Sequence, residues 1–255
     1  MSPSPTFLGR FPPWVEDYLA AREAKAQKIL RVLQSQIALD RKLSLLDVGC
    51  SQGQITQTLA RHFGLVVGVD YADEEGRREG FHFVRADGCR LPLRSDTFDV
   101  LLLNHVVEHV RLPQILLDEA WRVLRPGGLC YLATPNRYGL MEQHYRLPLL
   151  SWLPRWLANR YVRWTGRGRA YLDYPLSYRQ LNRLARRFQI RNQTAAVLAD
   201  AEFFFRDDPG LKGTARWLRW FPRWSFVLLM PWLPVYILTL RKDENSLEGG
   251  TGDQS

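Results

Sequence analysis

The chain has 255 residues, of which 46% are hydrophobic, so its length and composition suffice for a sizeable buried core. Its formal net charge is +9, and its three cysteines form no C-x-x-C pair. These features exclude a small disulfide-stapled protein and give no indication of a zinc site. We expect an α/β globular chain in a reducing compartment, the cytoplasm.

Residues 1–42 are expected to form an N-terminal helical segment. The chain begins Met-Ser-Pro-Ser-Pro, without the basic and then apolar stretches of a signal peptide. Residues 12–36 have a proline near the start and apolar residues available for one face, which predicts a helix. No targeting segment is indicated.

Residues 45–53 read LLDVGCSQG, an apolar strand that turns through two glycines into a helix. Such glycines let the backbone approach a ligand, and the helix that follows offers unpaired N–H groups. Ser51 and Gln54 stand where the dinucleotide motif G-x-G-x-x-G has its second and third glycines. The turn is therefore typical of a nucleotide site, but a ligand without a pyrophosphate fits it better.

A second apolar strand at 65–70 ends in Asp70, which lies 21 residues after Gly49. A carboxylate at this place typically accepts hydrogen bonds from the hydroxyls of a ribose. Five motifs then follow in order: VRADG (84–88), LPL (91–93), FDVLLLN (98–104), LRPGG (124–128) and LATPN (132–136). The ordered set over 43–136 resembles the class I S-adenosylmethionine-dependent methyltransferases, in particular the branch of ubiquinone-type O-methyltransferases.

The resemblance implies a Rossmann-like α/β fold. Its seven-stranded, mostly parallel sheet would end in an antiparallel hairpin, with helical basic and aromatic insertions. Together with the composition of the remaining chain, the resemblance predicts an N-terminal helical segment (1–42), a cofactor-binding core (43–136), a basic acceptor-binding insertion (137–176), the C-terminal part of the core (177–244) with an aromatic insertion (200–234), and a disordered, Gly-rich tail (245–255). The later elements are expected to be a helix at 177–187 and strands at 188–197 and 235–241.

The resemblance also implies S-adenosylmethionine as the cofactor and a role for several residues. Asp47 and the glycine turn would hold its methionine end, Asp70 the ribose and Asp87 the adenine amino group, with Asn104 beside the methionine moiety. The residues expected to bind the cofactor are Asp47, Gly49, Cys50, Ser51, Gly53, Asp70, Tyr71, Asp87, Gly88 and Asn104.

The net charge is concentrated in residues 137–187, which contain 11 basic and 2 acidic residues, whereas the two flanking parts are balanced. Seven of the nine tryptophans also lie beyond residue 150: Trp152, Trp156, Trp164, Trp217, Trp220, Trp224 and Trp232. Such residues suit an anionic membrane surface or nucleic acid. They equally suit a helical cap with an aromatic core and a solvated basic face, so three interpretations stay open.

The candidates for acid–base catalysis are histidines. His144 follows the strand end that would face the transferring methyl group, and Glu142 could orient it or raise its basicity. We expect His105 to position a reactant rather than to abstract a proton. His62, in the first crossover helix, and His82, in the third strand, are expected to be structural. His109 is expected to form a structural hydrogen bond. No metal ligands are predicted.

The predicted function is methyl transfer to an oxygen of an apolar small molecule or of a lipid-linked acceptor such as a quinone, isoprenoid or glycolipid. RNA methylation is an alternative, although residues 104–107 lack the Asn/Asp-Pro-Pro-Tyr/Phe motif of many base N-methylating enzymes. A non-catalytic binding protein is disfavoured, because the implied cofactor carboxylates are present. Residues 225–240 are too short and proline-interrupted to span a membrane, so any association at its inner face would be peripheral.

Overall fold

A central β-sheet organises the part of the chain that the computed structural model describes, which is residues 13–73, 78–142, 144–208, 218 and 220–243. Its strands are β1 (Ser44–Val48), β2 (Leu65–Asp70), β3 (His82–Arg85), β4 (Phe98–Asn104), β5 (Leu124–Pro135), β8 (Gln189–Asn192) and β9 (Val235–Arg241). The strand order is β3-β2-β1-β4-β5-β9-β8. β1 to β5 pair in parallel, whereas β9 is antiparallel to β5 and β8. The predicted sheet with its terminal antiparallel strand pair is confirmed.

The inner strands are buried on both faces, which explains their continuous apolar sequences. Side chains alternate between the faces, so Leu45 and Leu46 lie in two different core clusters. Leu46 pairs in register with Val67 of β2 and Leu101 of β4. This register brings the carboxyl ends of β1, β2 and β4 to the same edge of the sheet.

Helices cover both faces of the sheet. They are α1 (Pro13–Gln34), α2 (Gln54–Ala60), α3 (Pro113–Val123), α4 (Arg155–Trp164), α5 (Tyr178–Leu184), α6 (Thr194–Ala199), α7 (Ala201–Phe204) and α8 (Arg223–Leu229). One core cluster contains Ile29 of α1 and Leu59 of α2, and the other contains Leu116 of α3 and Leu181 of α5. The crossover helices thus bury apolar faces against opposite sides of the sheet.

Two predicted helix positions differ from the structure. α5 starts after Ser177, whose side chain accepts from the Gln180 N–H, while Gln180 accepts from the Ser177 N–H, a capping box. It ends at Leu184, three residues before the predicted end. His62 follows the end of α2 instead of lying within it.

The segment 137–176 builds a small structure beside the sheet. β6 (Met141–Glu142) and β7 (Leu147–Pro148) form an antiparallel pair, and α4 follows. The segment has its own apolar cluster, Leu147, Leu150, Ala158, Val162 and Tyr171. Because these side chains are buried together, the β6–β7 hairpin packs against α4. His144 lies between the two strands of this hairpin.

The strand predicted over 188–197 is too long. β8 covers Gln189–Asn192, and α6 begins at Thr194, because the Asn192 side chain accepts the Thr194 N–H (2.9 Å) and turns the chain. Among the helices of the described residues, none combines the length and apolar composition that crossing a bilayer requires. Trp217, part of the 200–234 insertion, and the tail expected at 245–255 lie outside the described residues.

Candidate functional site

A cavity of about 780 Å³ opens at the carboxyl ends of the parallel strands, the edge at which open α/β sheets bind ligands. Its wall combines carboxylates, glycines and histidines with two cations from α1. The lining residues are Arg22, Lys25, Val48, Gly49, Ser51, Val69, Asp70, Tyr71, Ala86, Asp87, Gly88, Asn104, His105, Val106, His109, Val110, Leu116 and His144.

The turn after β1 presents its backbone to the cavity. Gly49 has a φ of +80°, and a Cβ there would lie 2.5 Å from Cγ2 of Val106. A larger residue is therefore excluded both by conformation and by space. Ser51 also adopts a positive φ of 49° and donates its N–H to Oδ2 of Asp70 (2.8 Å). This hydrogen bond ties the glycine turn to the end of β2.

Asp70 and Asp87 lie at the ends of neighbouring strands. Oδ1 of Asp70 accepts the Ala72 N–H (3.0 Å), and Oδ1 of Asp87 accepts the Cys89 N–H (2.9 Å). Backbone donors thus fix both carboxylates, yet each keeps lone pairs for a ligand. A Cβ on Gly88 would lie 2.9 Å from Cγ1 of Val48, so the chain at this position has room only for glycine.

Asp47, Cys50 and Gly53, three of the residues expected to bind the cofactor, are not among the residues that line the cavity. Asp47 is 3% exposed, and its Oδ2 accepts the Thr56 hydroxyl (2.6 Å). Burial raises the pKa of Asp47 to about 7. This carboxyl group supports the site from behind by joining β1 to α2, and Gly53 (φ +84°) starts that helix.

On the opposite side of the cavity, His105 follows Asn104 at the end of β4. Its Nδ1 lies 3.0 Å from Oε1 of Glu108. Glu108 is fully buried, and its Oε2 accepts the Thr134 hydroxyl from β5 (3.0 Å). The imidazole of His105 is therefore held in place by a carboxylate that the core itself positions.

His144 meets a partner that the sequence did not indicate. Its Nδ1 lies 3.0 Å from Oδ2 of Asp173, whereas Oε1 of Glu142 is 3.6 Å away and Oε2 accepts the Tyr145 N–H (2.6 Å). Asp173, rather than Glu142, is thus the principal group that orients His144. The other Asp173 oxygen, Oδ1, lies 2.9 Å from Nδ1 of His109.

The charges in this cluster stabilise one another. The hydrogen bond that each imidazole donates to Asp173 raises the pKa of His144 and that of His109. Burial works against ionisation of Asp173, but the two imidazoles hold its pKa below the ordinary value. Burial raises the pKa of Glu142. A buried carboxylate between two imidazoles is suited to holding protons or a cation.

Two backbone contacts set the position of Asp173. Nη1 of Arg155 in α4 donates to the Asp173 carbonyl (2.5 Å), and the Tyr174 N–H donates to the Glu108 carbonyl (2.7 Å). The Arg155 guanidinium also lies 4.0 Å from the centre of the Tyr174 ring. One arginine of the basic segment therefore has a structural role at the site.

Sequence reasoning missed Arg22, Lys25 and Asp173 as residues of the site, and it gave His109 only a structural hydrogen bond. One signal was present for Asp173: residues 137–187 contain two acidic residues, and both of them lie beside His144. No local pattern marks Arg22 and Lys25, which reach the cavity through the packing of α1 on α2.

Comparison with known proteins agrees with this geometry. Residues 46–132 match the family model described as "Methyltransferase domain". The match begins within β1, includes the glycine turn and β4, and ends within β5. It confirms the resemblance read from the sequence motifs.

Two curated relatives are both named ubiquinone biosynthesis O-methyltransferase. The protein from Parvibaculum lavamentivorans is 32% identical over 130 residues, which cover 44% of this chain and 49% of the relative. The protein from Rhizobium etli is 30% identical over 155 residues, 56% of this chain and 59% of the relative. The chain thus spans about half the length of the curated relatives it matches.

The fold extends beyond the matched domain. A crystal structure of an S-adenosylmethionine-dependent methyltransferase from Mesorhizobium loti superposes with a TM-score of 0.55 at 18% identity. The superposition covers 86% of this chain and 100% of the other. The shared fold therefore includes most of the C-terminal half.

Proposed function

We propose that the protein transfers a methyl group from S-adenosylmethionine to an oxygen of an apolar or lipid-linked acceptor. The observation that supports this most is one cavity whose two sides differ chemically. Gly49, Asp70 and Asp87 lie on one side, within the methyltransferase domain, and the imidazoles of His105, His109 and His144 lie on the other. The names of the similar proteins support the methyl donor and the oxygen acceptor.

The residues present fit this cofactor. Asp70 has acceptor capacity for ribose hydroxyls, Asp87 has it for an exocyclic amine, and the glycine turn leaves room that a Cβ would fill. Arg22 and Lys25 add cations that suit a carboxylate such as that of a methionine moiety. Asn104 would also lie near the methionine moiety of the cofactor.

When bound, S-adenosylmethionine supplies a methyl group on a positively charged sulfur, already activated for transfer. The protein then has to position the acceptor and remove its proton. With Nδ1–H of His144 donating to Asp173, Nε2 is the atom that accepts the proton of the acceptor hydroxyl. Asp173 stabilises the resulting imidazolium, and His105 positions the acceptor.

The apolar nature of the acceptor is inferred from the segment beside His144. Residues from the end of β7 to the end of α4 line a second cavity of about 610 Å³: Pro148, Leu149, Leu153, Leu157, Arg160, Tyr161 and Trp164. Six of these seven side chains are apolar or aromatic, and Trp164 is 83% exposed. A groove of this composition suits a hydrocarbon chain.

Exposed aromatic and apolar residues of α4 and of residues 220–229 support peripheral contact with an anionic membrane. Trp156, Trp220 and Trp224 are 69%, 74% and 65% exposed, and Leu228 of α8 is 64% exposed. Large exposed apolar groups next to arginines are typical of interfacial binding. Such contact would place the protein in the cytoplasm at the inner face of the membrane.

The test is methyl transfer from radiolabelled S-adenosylmethionine to catechols with and without an isoprenoid chain. We expect an O-methylated product and a higher kcat/KM for the chain-bearing catechol. Preferential binding of a nicotinamide cofactor in calorimetry would overturn the methyltransferase assignment. Methylation of RNA but of neither catechol would overturn the acceptor and favour the nucleic-acid alternative.

A further inference from the structure

Three metal-ligating side chains from distant parts of the chain converge beside the cavity. His109 follows β4, His144 lies in the β6–β7 hairpin, and Asp173 precedes α5. One nitrogen from each imidazole and one carboxylate oxygen lie within 4.8 Å of one another. Each imidazole contacts a different oxygen of Asp173, at 2.9 and 3.0 Å.

The exposure of the three groups fits a site that is open on one side. The Asp173 side chain is 7% exposed, whereas those of His109 and His144 are 49% and 36% exposed. Both imidazoles also line the main cavity. The carboxylate thus forms the base of the cluster, and the exposed side faces the space in which the acceptor is proposed to bind.

A second combination, His105 with Glu108 and His144, has similar spacing. It is the poorer ligand set, because one Glu108 oxygen accepts the hydroxyl of Thr134, which is not a ligand, whereas the two Asp173 oxygens contact the imidazoles of the proposed site. Glu108 is also completely buried, which leaves no room for an ion to exchange with solvent. The cluster of His109, His144 and Asp173 lacks these two obstacles.

We infer that His109, His144 and Asp173 bind a zinc-class divalent ion. Two imidazoles and one carboxylate suit zinc and its neighbours, whereas magnesium and calcium prefer oxygen ligands. Ligand bonds of about 2.0–2.1 Å separate tetrahedral ligands by roughly 3.3 Å, close to the observed nitrogen–oxygen distances. The ion replaces the imidazole protons, and its open position faces the cavity.

An ion here would act as a Lewis acid on the acceptor. An acceptor hydroxyl that coordinates the ion has a lower pKa, so its O–H bond breaks, the proton passes to solvent water and the oxygen keeps the electron pair. This use rests on the proposed methyl transfer, in which Nε2 of His144 would otherwise take the proton. Binding of the ion itself requires no cofactor and no acceptor.

The test is titration of the full chain, without a histidine tag and after chelator treatment, with Co²⁺ followed by absorption and with Zn²⁺ followed by calorimetry. We expect one ion per chain and intense visible Co²⁺ bands, which indicate a coordination number below six. His109→Gln and Asp173→Asn should each weaken affinity at least about tenfold. His82→Gln, an exposed histidine on β3, is the matched control and should bind like the wild type.

Absence of stoichiometric binding to the wild type would overturn the inference, as would equal affinity in the wild type and both ligand variants. Circular dichroism of each variant checks that it is folded. If His109→Gln does not fold, the Asp173→Asn titration decides alone, and imidazole nitrogen resonances of the wild type on Zn²⁺ addition decide if neither folds. Methyl transfer undiminished by chelation would leave the proposed function intact while removing the catalytic use of the ion.

Discussion

The two sides of the main cavity are built in different ways. The side formed by Gly49, Asp70 and Asp87 uses residues at the ends of successive parallel strands, held by backbone hydrogen bonds. The side formed by His109, His144 and Asp173 joins three stretches through side-chain contacts. The first side is a property of the fold, whereas the second depends on an insertion and can change without altering the sheet.

Loss of His144 gives the largest expected effect and tests whether the two sides act independently. His144→Ala should lower turnover about a hundredfold, because it removes the proposed proton acceptor. The affinity for S-adenosylhomocysteine should stay nearly unchanged, because the cofactor is proposed to bind to the other side, formed by Gly49, Asp70 and Asp87. Single-turnover kinetics and calorimetry measure the two quantities, with His62→Ala as the control. Turnover near the wild-type value would refute the role of His144.

Removal of Asp70 should weaken cofactor binding more than it lowers turnover, the opposite of the result expected for His144→Ala. Asp70→Ala takes away a carboxylate proposed to accept two ribose hydroxyls, so the affinity for S-adenosylmethionine should fall more than tenfold, by about 1.5–3 kcal/mol. Turnover at saturating cofactor should change less. The control is Asp73→Ala in the loop that follows β2. An unchanged affinity, measured by calorimetry, would refute the proposal that Asp70 binds the ribose.

The pH dependence sharpens the comparison, since Asp173 contacts two titratable imidazoles on the side formed by His109, His144 and Asp173. Asp173 raises the pKa of His144, and a base must be deprotonated to act, so activity is lost as the pH falls through that raised pKa. Asp173→Asn removes the negative charge, so the acidic limb of log kcat against pH should move about one unit lower. The same variant should also lower kcat, because the imidazolium loses its stabilising partner.

Comparing Asp173→Asn with a second conservative variant, Arg155→Lys, separates an effect on the pKa of His144 from a purely structural effect on kcat. Arg155→Lys keeps the charge but loses part of the contact with the Asp173 carbonyl. We expect its kcat to fall without a shift of the acidic limb. An unshifted limb in Asp173→Asn would show that Asp173 does not control the base.

The smallest effect concerns the aromatic surface outside the cavity. The wild type should sediment with anionic liposomes, be released by salt and bind neutral liposomes poorly. Replacing Trp220 and Trp224 with Ser should weaken binding severalfold even at low salt, because apolar ring area is lost while the charge remains. His82→Gln serves as the control. Tight binding to RNA without liposome binding would favour nucleic acid as the partner.

The side of the cavity formed by Gly49, Asp70 and Asp87 could largely be placed from the sequence, because these residues follow strands with continuous apolar sequences. Seven of the ten expected cofactor residues line the cavity, and Asp47, Cys50 and Gly53 lie behind it. Sequence spacing does not say which residues of a buried turn face the cavity. Asp47 contacts Thr56 instead, in the interior.

The amino-acid sequence alone determined the parallel sheet, the edge at which its strands end, and the acidic residues and glycines there, since alternating strands and helices of these lengths allow few arrangements. The partners of His144 were decided by the tertiary structure. Asp173 is 29 residues away and reaches the site because Arg155 and the Glu108 carbonyl hold its backbone. Contacts between distant segments depend on the packing of whole elements, which no local pattern specifies.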